Sequence, residues 1–114
     1  MIQVQIRWVI NPFRGDQFAE GWLPAAEAAL DYGAKDWSFT RALDGRLDFI
    51  QTANFRSKSD FERYWYSETI AEKRVELAGT YQVPVTPSFW EVVGSGEARE
   101  LGAGAPSPAP GGPL

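Results

Sequence analysis

The chain of 114 residues carries a formal net charge of −4 and contains neither cysteine nor histidine. This composition excludes disulfides, thiolate nucleophiles and histidine-ligated haem or zinc, and an acidic balance without a basic run argues against nucleic acid and anionic membranes. No apolar stretch reaches the roughly 18 residues of a membrane span, so we expect a cytoplasmic protein without a membrane partner.

The first element is predicted to be a β-strand over residues 2–10, because polarity alternates along it. Its even-numbered positions are apolar, whereas Gln3, Gln5 and Arg7 occupy the opposite side. If the strand lies in mid-sheet, this polar side meets water, a cavity or a second subunit.

A helix is predicted next, because apolar side chains including Phe18 and Trp22 repeat at helical spacing. Pro24 cannot lie undisturbed in a helix interior, so it either kinks the helix or starts a second segment at Ala25. Gly33 is a typical residue for the end of the helix.

Two strands follow over residues 37–43 and 47–55, and Asp44-Gly45 between them is a strong hairpin signal. In the second of these strands one face is more apolar and is expected to meet the helices. That face consists of Leu47, Phe49, Gln51, Ala53 and Phe55, and the opposite face consists of Asp48, Ile50, Thr52 and Asn54.

The last part of the chain predicts a helix and a fourth strand. Residues 59–62 and 69–72 both have the form of a capping box, and Gly79 ends the helical region. Residues 83–93 form a strand whose two prolines suit a sheet edge. Residues 94–114 are rich in Gly and Pro and lack aromatics, so we expect a disordered tail behind a single domain of residues 1–93.

The order βαββαβ predicts an α+β, ferredoxin-like fold with a four-stranded antiparallel sheet. Strands one and three are then central, and helices cover only one face of the sheet. The other face is free for a ligand or a second sheet, so a homodimer is expected.

The run from Phe49 to Ser67 passes from a strand through a short polar turn into an aromatic helix, and residues 87–93 end in Phe-Trp-Glu-Val-Val. In these stretches the chain resembles the antibiotic biosynthesis monooxygenase-like superfamily, whose members are dimeric α/β barrels. The resemblance implies a cofactor-independent monooxygenase that oxidises an aromatic or quinol-type small molecule in a cavity between helices and sheet. This chain departs from the family at Gln51, where many members have an acid, and at Tyr64 or Trp65, where many have a histidine.

The resemblance suggests Asn54, Arg7 and Tyr64 as catalytic residues, with no cofactor and no metal. Asn54 can donate to an oxyanion and Arg7 can hold an anionic or phenolate oxygen, although turn formation and an interface are the ordinary roles of such residues. The candidate substrate-binding residues are Gln3, Gln5, Trp65, Tyr66 and Trp90.

The aromatic candidates have alternative explanations. Tyr64, Trp65 and Tyr66 are consecutive on a helix, where neighbours point about 100° apart, so they cannot all face the core. Trp90 alternates with Phe89, so one of the two faces away from the helices. A non-catalytic ligand-binding or structural homodimer, and a polyketide-cyclase-like enzyme, therefore remain alternatives to the monooxygenase.

Overall fold

Residues 1–99 are described by a computed structural model, and they form four strands and three α-helices. A short 3-10 helix, Ala28–Tyr32, follows the first α-helix. The elements are β1 (Ile2–Val9), α1 (Gly15–Glu27), β2 (Ala34–Arg41), β3 (Asp48–Phe55), α2 (Lys58–Trp65), α3 (Glu68–Glu76) and β4 (Ser88–Glu91).

The strands form one antiparallel sheet in the order β2-β3-β1-β4. The helices pack on one face, which we call the helix face, and the opposite side is the open face. The predicted ferredoxin-like α+β fold is thus confirmed, with β1 and β3 in the centre.

The core lies between the helices and the helix face of the sheet. In β1 the side chains of Val4, Ile6 and Trp8 are buried, as the alternation predicts. In β3 the buried set on this face is Phe49, Gln51, Ala53 and Phe55. Leu47 precedes the strand and is 42% exposed, so it does not join this buried set.

Helix α1 runs through Pro24 without a second start. Its last turn then tightens into the 3-10 helix, which ends at Gly33 with φ of 95°. This left-handed conformation is readily available to glycine, so the predicted stop is confirmed.

Helix starts differ from the sequence expectations. The side chains of Ser57 and Ser67 accept hydrogen bonds from the backbone N–H groups of Asp60 and Ile70 and cap α2 and α3. The predicted capping boxes at residues 59–62 and 69–72 therefore begin two residues too late.

Strand boundaries shift as well. β2 begins at Ala34, three residues before the predicted strand, and β4 spans only Ser88–Glu91. Pro84 and Pro87 precede β4, in keeping with the inability of proline to donate a ladder hydrogen bond.

The C-terminal segment is only partly described. Residues 94–99 contain no helix or strand. Residues 100–114, most of the predicted tail, lie outside the described part of the chain, so the domain boundary stays a prediction. No helix within residues 1–99 is long and apolar enough to span a membrane.

Replacing Gly33 by alanine is expected to destabilise the fold. A Cβ at this position would collide with the carboxylate of Asp60, which Arg56 and Arg63 hold by ion pairs. Gly45→Ala is the matched control, since Gly45 has φ of 85° but open space around it. Both variants should lose roughly 1–2 kcal/mol to left-handed strain, and Gly33→Ala should lose clearly more in urea denaturation. Equal losses would contradict the role assigned to the Asp60 contact.

Candidate functional site

A row of hydrogen-bonded polar side chains crosses the open face of the sheet. Gln5 Nε2 donates to Gln3 Oε1 at 2.9 Å, and Gln3 Nε2 donates to Asn54 Oδ1 at the longer distance of 3.5 Å. Asn54 Nδ2 donates to Asp36 Oδ1 at 2.8 Å. We call Gln5, Gln3, Asn54 and Asp36 the amide row, and it links β1, β3 and β2.

Sheet register places these residues side by side. Asn54 lies opposite Gln3 in one direction and opposite Asp36 in the other, and directly opposed residues of antiparallel strands share a face. Between Ala34 and Asp36 the register shifts, so Lys35 is an extra residue in β2. Such bulges re-aim side chains and are over-represented beside active sites.

A groove of about 590 Å³ lies at this end of the open face. Gln3, Asn54, Lys35 and Asp36 line it, together with residues 94–97. Its volume falls in the roughly 300–1,000 Å³ range of small-molecule pockets. The groove therefore combines one cationic side chain, amide groups and carboxylates around a space that fits a small ligand.

Trp90 lies next to this groove on the open face. It is opposite Gln3 in the β1–β4 pair, and Phe89 accordingly faces the helices, with its ring 5.5 Å from that of Phe61. Trp90 Nε1 donates to Ser88 Oγ at 2.9 Å, and 53% of the residue is exposed. Its indole is held by this bond while much of its surface stays open to a ligand or a second subunit.

Arg7 is on the same face but at the other end of the sheet. Its Nε and Nη2 donate to Asp48 Oδ2 at 3.1 and 2.8 Å, and Arg46 Nη1 approaches the same oxygen at 3.8 Å. Arg7 is four residues from Gln3 along β1, a separation of roughly 13 Å. The structure therefore does not bring Arg7 together with Asn54 on the scale of one catalytic contact.

Tyr64 packs against the helix face of the sheet and is buried, and its hydroxyl is both a hydrogen-bond donor and an acceptor. The hydroxyl donates to the carbonyl of Ala25 at 2.6 Å and accepts from Gln51 Nε2 at 2.9 Å. Gln51 Oε1 in turn accepts from the indole N–H groups of Trp8 at 3.2 Å and Trp22 at 2.8 Å. The sheet separates this buried network from Asn54 and Arg7.

The other two aromatic candidates of α2 diverge. Trp65 is buried and stacks on Phe61 at 5.8 Å, with the guanidinium of Arg74 4.1 Å from its ring. Tyr66 is 72% exposed and lines a different, smaller groove beside Phe89. Neither side chain borders the groove at Asn54.

The space between helices and sheet, where the resemblance placed the substrate, is filled by side chains. Around Trp8, ring centroids of neighbouring aromatics lie at 4.7 to 6.0 Å, a distance typical of packed pairs. The rings are those of Phe18, Trp22, Trp65 and Tyr81. The structure thus differs from the expectation, because bulky aromatics from α1, α2 and β1 occupy this layer.

Lys35 and Asp36 border the groove but were not singled out from the sequence. The predicted strand began at Trp37, three residues after the true start of β2, so Asp36 was not placed opposite Asn54. The position of Lys35 depends on the bulge in β2, and a bulge has no strong signal in the sequence.

Alkaline titration should show that Tyr64 is locked in the core. Burial raises the pKa of the Tyr64 phenol above its ordinary value. The neutral phenol therefore stabilises the fold fully below the unfolded pKa of about 10, and this stability is lost as pH rises above it. The difference between wild type and Tyr64→Phe gives the tyrosinate absorbance of Tyr64. In wild type this absorbance should appear only at the pH at which the circular dichroism of the folded protein is lost. Ionisation of Tyr64 in a fully folded protein would contradict this.

No protein-family model and no curated protein matches the chain. Solved structures do match. A Nitrosomonas europaea protein named for the antibiotic biosynthesis monooxygenases is 12% identical, with a TM-score of 0.73 over 82% of this chain and 99% of that one. Rv0793 from Mycobacterium tuberculosis is 12% identical, with a TM-score of 0.71 over 84% and 98%.

A third similar structure is a single-residue mutant of SnoaB, a cofactor-independent oxygenase from Streptomyces nogalater. It is 10% identical, with a TM-score of 0.70 over 82% of this chain and 94% of that one. Nearly the whole of each of these proteins therefore superimposes on this chain. The chain has the ferredoxin-like α+β fold of the antibiotic biosynthesis monooxygenase-like proteins.

Proposed function

We propose that this protein is a homodimeric, cofactor-independent monooxygenase-like enzyme that takes a small aromatic, quinol-type molecule in the open-face groove. The observation that carries the proposal is the groove of about 590 Å³ with the Asn54 amide and the bulged Lys35 on its wall. SnoaB supports the reaction class through the shared fold.

The chemistry requires an electron-rich substrate. In the keto tautomer of such a phenol, one ring carbon bears two hydrogens. Both C–H bonds at this carbon break, one oxygen atom of O2 forms a carbonyl there, and the two hydrogens leave with the other oxygen atom as water. The substrate supplies all the electrons. The first need is therefore loss of a substrate proton and stabilisation of the resulting phenolate-type anion.

The groove residues suit these needs in distinct ways. The Lys35 ammonium favours the anionic form of a bound phenol, and Asp36, which accepts the Asn54 amide N–H, is a carboxylate on the groove wall that can accept a proton. Asn54 uses one N–H on Asp36, which leaves its second amide hydrogen for an oxyanion. Trp90 offers an aromatic surface beside Gln3 for the ring system.

The remaining candidates would act at a distance or as supports. Gln5 holds Gln3 in the amide row. Arg7, roughly 13 Å away, can hold a carboxylate or phenolate only at the far end of an extended substrate. Tyr64 and Trp65 belong to the core that supports β1 and β3.

Dimerisation through the open faces would complete the groove. Helices cover one face of the sheet, and a second sheet packed about 10 Å away would cover the other face and exclude water. The exposed Trp90 suits such an interface, and a domain of this size gains stability by burying it.

Light scattering should therefore give twice the 12.7 kDa chain mass at micromolar concentration. Trp90→Glu should weaken the dimer at least tenfold, because it places a charge in the interface. Val75→Glu is the matched control, since Val75 is 76% exposed on α3 and lies away from the open face. A wild-type monomer would refute the face-to-face dimer.

Oxygen uptake and calorimetric binding with a panel of quinols and anthrone-type phenols should test the activity. Asn54→Ala should lower kcat by about 100-fold, the effect of removing one oxyanion donor. Thr52→Ala is the control, because Thr52 lies two residues away on the same strand face and does not line the groove. An Asn54→Ala enzyme as fast as Thr52→Ala would contradict the assigned role.

A non-catalytic ligand-binding homodimer is the second candidate function. The filled layer between helices and sheet favours it, as do the amides that bond to one another. The same panel discriminates the two functions, because a binder shows heat of binding without oxygen uptake. A polyketide-cyclase-like enzyme would convert its substrate without consuming oxygen.

A further inference from the structure

The loop between β1 and α1 contains a strained phenylalanine. Arg14 N–H donates to the Asn11 carbonyl at 3.1 Å and closes a four-residue turn with Pro12 second and Phe13 third. Phe13 has φ of +67°. Proline fixes a negative φ at the second position, so this is a type II turn, in which the third position normally belongs to glycine or asparagine.

Packing does not account for this phenylalanine. Phe13 is 101% exposed, so no contact within residues 1–99 offsets the left-handed strain or the apolar surface left in water. Strain of this kind collects at functional sites. These two observations make Phe13 a candidate for contact with a partner.

A second exposed apolar side chain lies at the same end of the sheet, because Val9 before the Phe13 turn pairs with Asp48 after the hairpin. Leu43 is 102% exposed in the hairpin between β2 and β3. The ion pair of Arg41 Nη1 with Asp16 Oδ1 at 2.8 Å ties the end of β2 to the start of α1. The Phe13 turn and the Leu43 hairpin therefore lie at one end of the sheet, and we call their two exposed side chains the apolar corner.

The chain also carries a small aromatic groove elsewhere, between α2 and β4. It has a volume of about 220 Å³, below the roughly 300–1,000 Å³ of small-molecule pockets, so it suits a single side chain better than a metabolite. The α2–β4 groove is lined by Lys58, Phe61, Glu62, Trp65, Tyr66, Pro87 and Phe89.

The charges beside the apolar corner and the α2–β4 groove are complementary. Arg14 follows Phe13 directly and is exposed, and Glu62 lies on the groove rim and is exposed. Neither residue forms an ion pair within residues 1–99. The cation of the rim, Lys58, is already placed 4.8 Å from the ring of Phe89.

We propose that Phe13 of one copy of this chain inserts into the α2–β4 groove of a second copy, with Arg14 beside Glu62. The donor and acceptor surfaces lie at different places on the chain, so the contact is heterologous and separate from the face-to-face dimer. It joins dimers into larger assemblies, and because one side chain anchors it, it forms only at high protein concentration. The proposal does not depend on the enzymatic activity.

Sedimentation velocity of the full chain over a concentration series up to the millimolar range tests the contact. Wild type should show a sedimentation coefficient that rises with concentration beyond that of the dilute species. Phe13→Gly should abolish the rise and at the same time raise Tm, because glycine relieves the strained turn. Leu43→Ser removes the other exposed side chain of the apolar corner, so it should reduce the rise in sedimentation coefficient, but it should not raise Tm. A Phe13→Gly protein that associates like wild type would overturn the proposal.

Complementation distinguishes this contact from any other. Glu62→Lys alters only the exposed groove rim and should also reduce association, by at least fivefold. The Phe13→Gly protein keeps an intact groove, and the Glu62→Lys protein keeps Phe13. A mixture of the two can therefore still form the contact in one direction. Labelled Phe13→Gly should then show chemical-shift changes in α2 and β4 on addition of Glu62→Lys protein, and not on addition of unlabelled Phe13→Gly. Absence of these changes would refute the insertion.

Vesicles of phosphatidylcholine with phosphatidylglycerol provide the remaining comparison. If wild type cosediments with them and Phe13→Gly does not, while neither self-associates, the apolar corner serves a lipid surface and the self-association proposal is wrong.

Discussion

The buried amide of Gln51 is the interaction on which the rest of this structure depends. Its oxygen accepts from two indole N–H groups and its nitrogen donates to the Tyr64 hydroxyl, which in turn bonds to the Ala25 carbonyl. One side chain of β3 thereby connects β1, α1 and α2. Each of these polar groups, if left buried without its partner, would cost roughly 1–3 kcal/mol, so the partners fix one another's positions.

This network also determines where a ligand can bind. Indoles that bond to one amide must converge on it, and their rings then fill the layer between helices and sheet. The same side chains that satisfy Gln51 therefore close the interior. The open face, with its bulged β2 edge and amide row, is left as the surface where a small molecule has room.

The sequence predicted the fold well because its strongest signals are local and periodic. Alternation along residues 2–10 identified the buried side of β1, and Asp44-Gly45 located the hairpin. The helix starts were predicted incorrectly because Ser57 and Ser59 carry the same side chain, and either could cap a helix if its backbone had the required conformation. Only the backbone path, extended at Ser57 with φ of −154°, determines which of them caps α2.

The candidate site was predicted less well, for a physical reason. Side chains alternate between the two faces along a strand, so the face of each residue can be predicted from its position. Gln3, Asn54 and Trp90 lie side by side on the open face. On a helix, the position number does not show in the same way which side a residue faces. The resemblance suggested Tyr64 as a site residue, but its hydroxyl is buried and bonds to Gln51. Position along the strand matters as much as face, and this separates Arg7 from Asn54.

The amide row makes a polar open face compatible with the proposed dimer, which would bury this face. Isolated glutamines in an interface would each need a partner from the second subunit. Here Gln5, Gln3 and Asn54 bond to one another, so their mutual bonds already meet much of the desolvation cost of burial. The same face can be hydrated when it is exposed and can also pack against a second sheet. Its polarity is therefore compatible with both an interface and a ligand site, because each amide keeps free donors or acceptors beyond the bonds in the row.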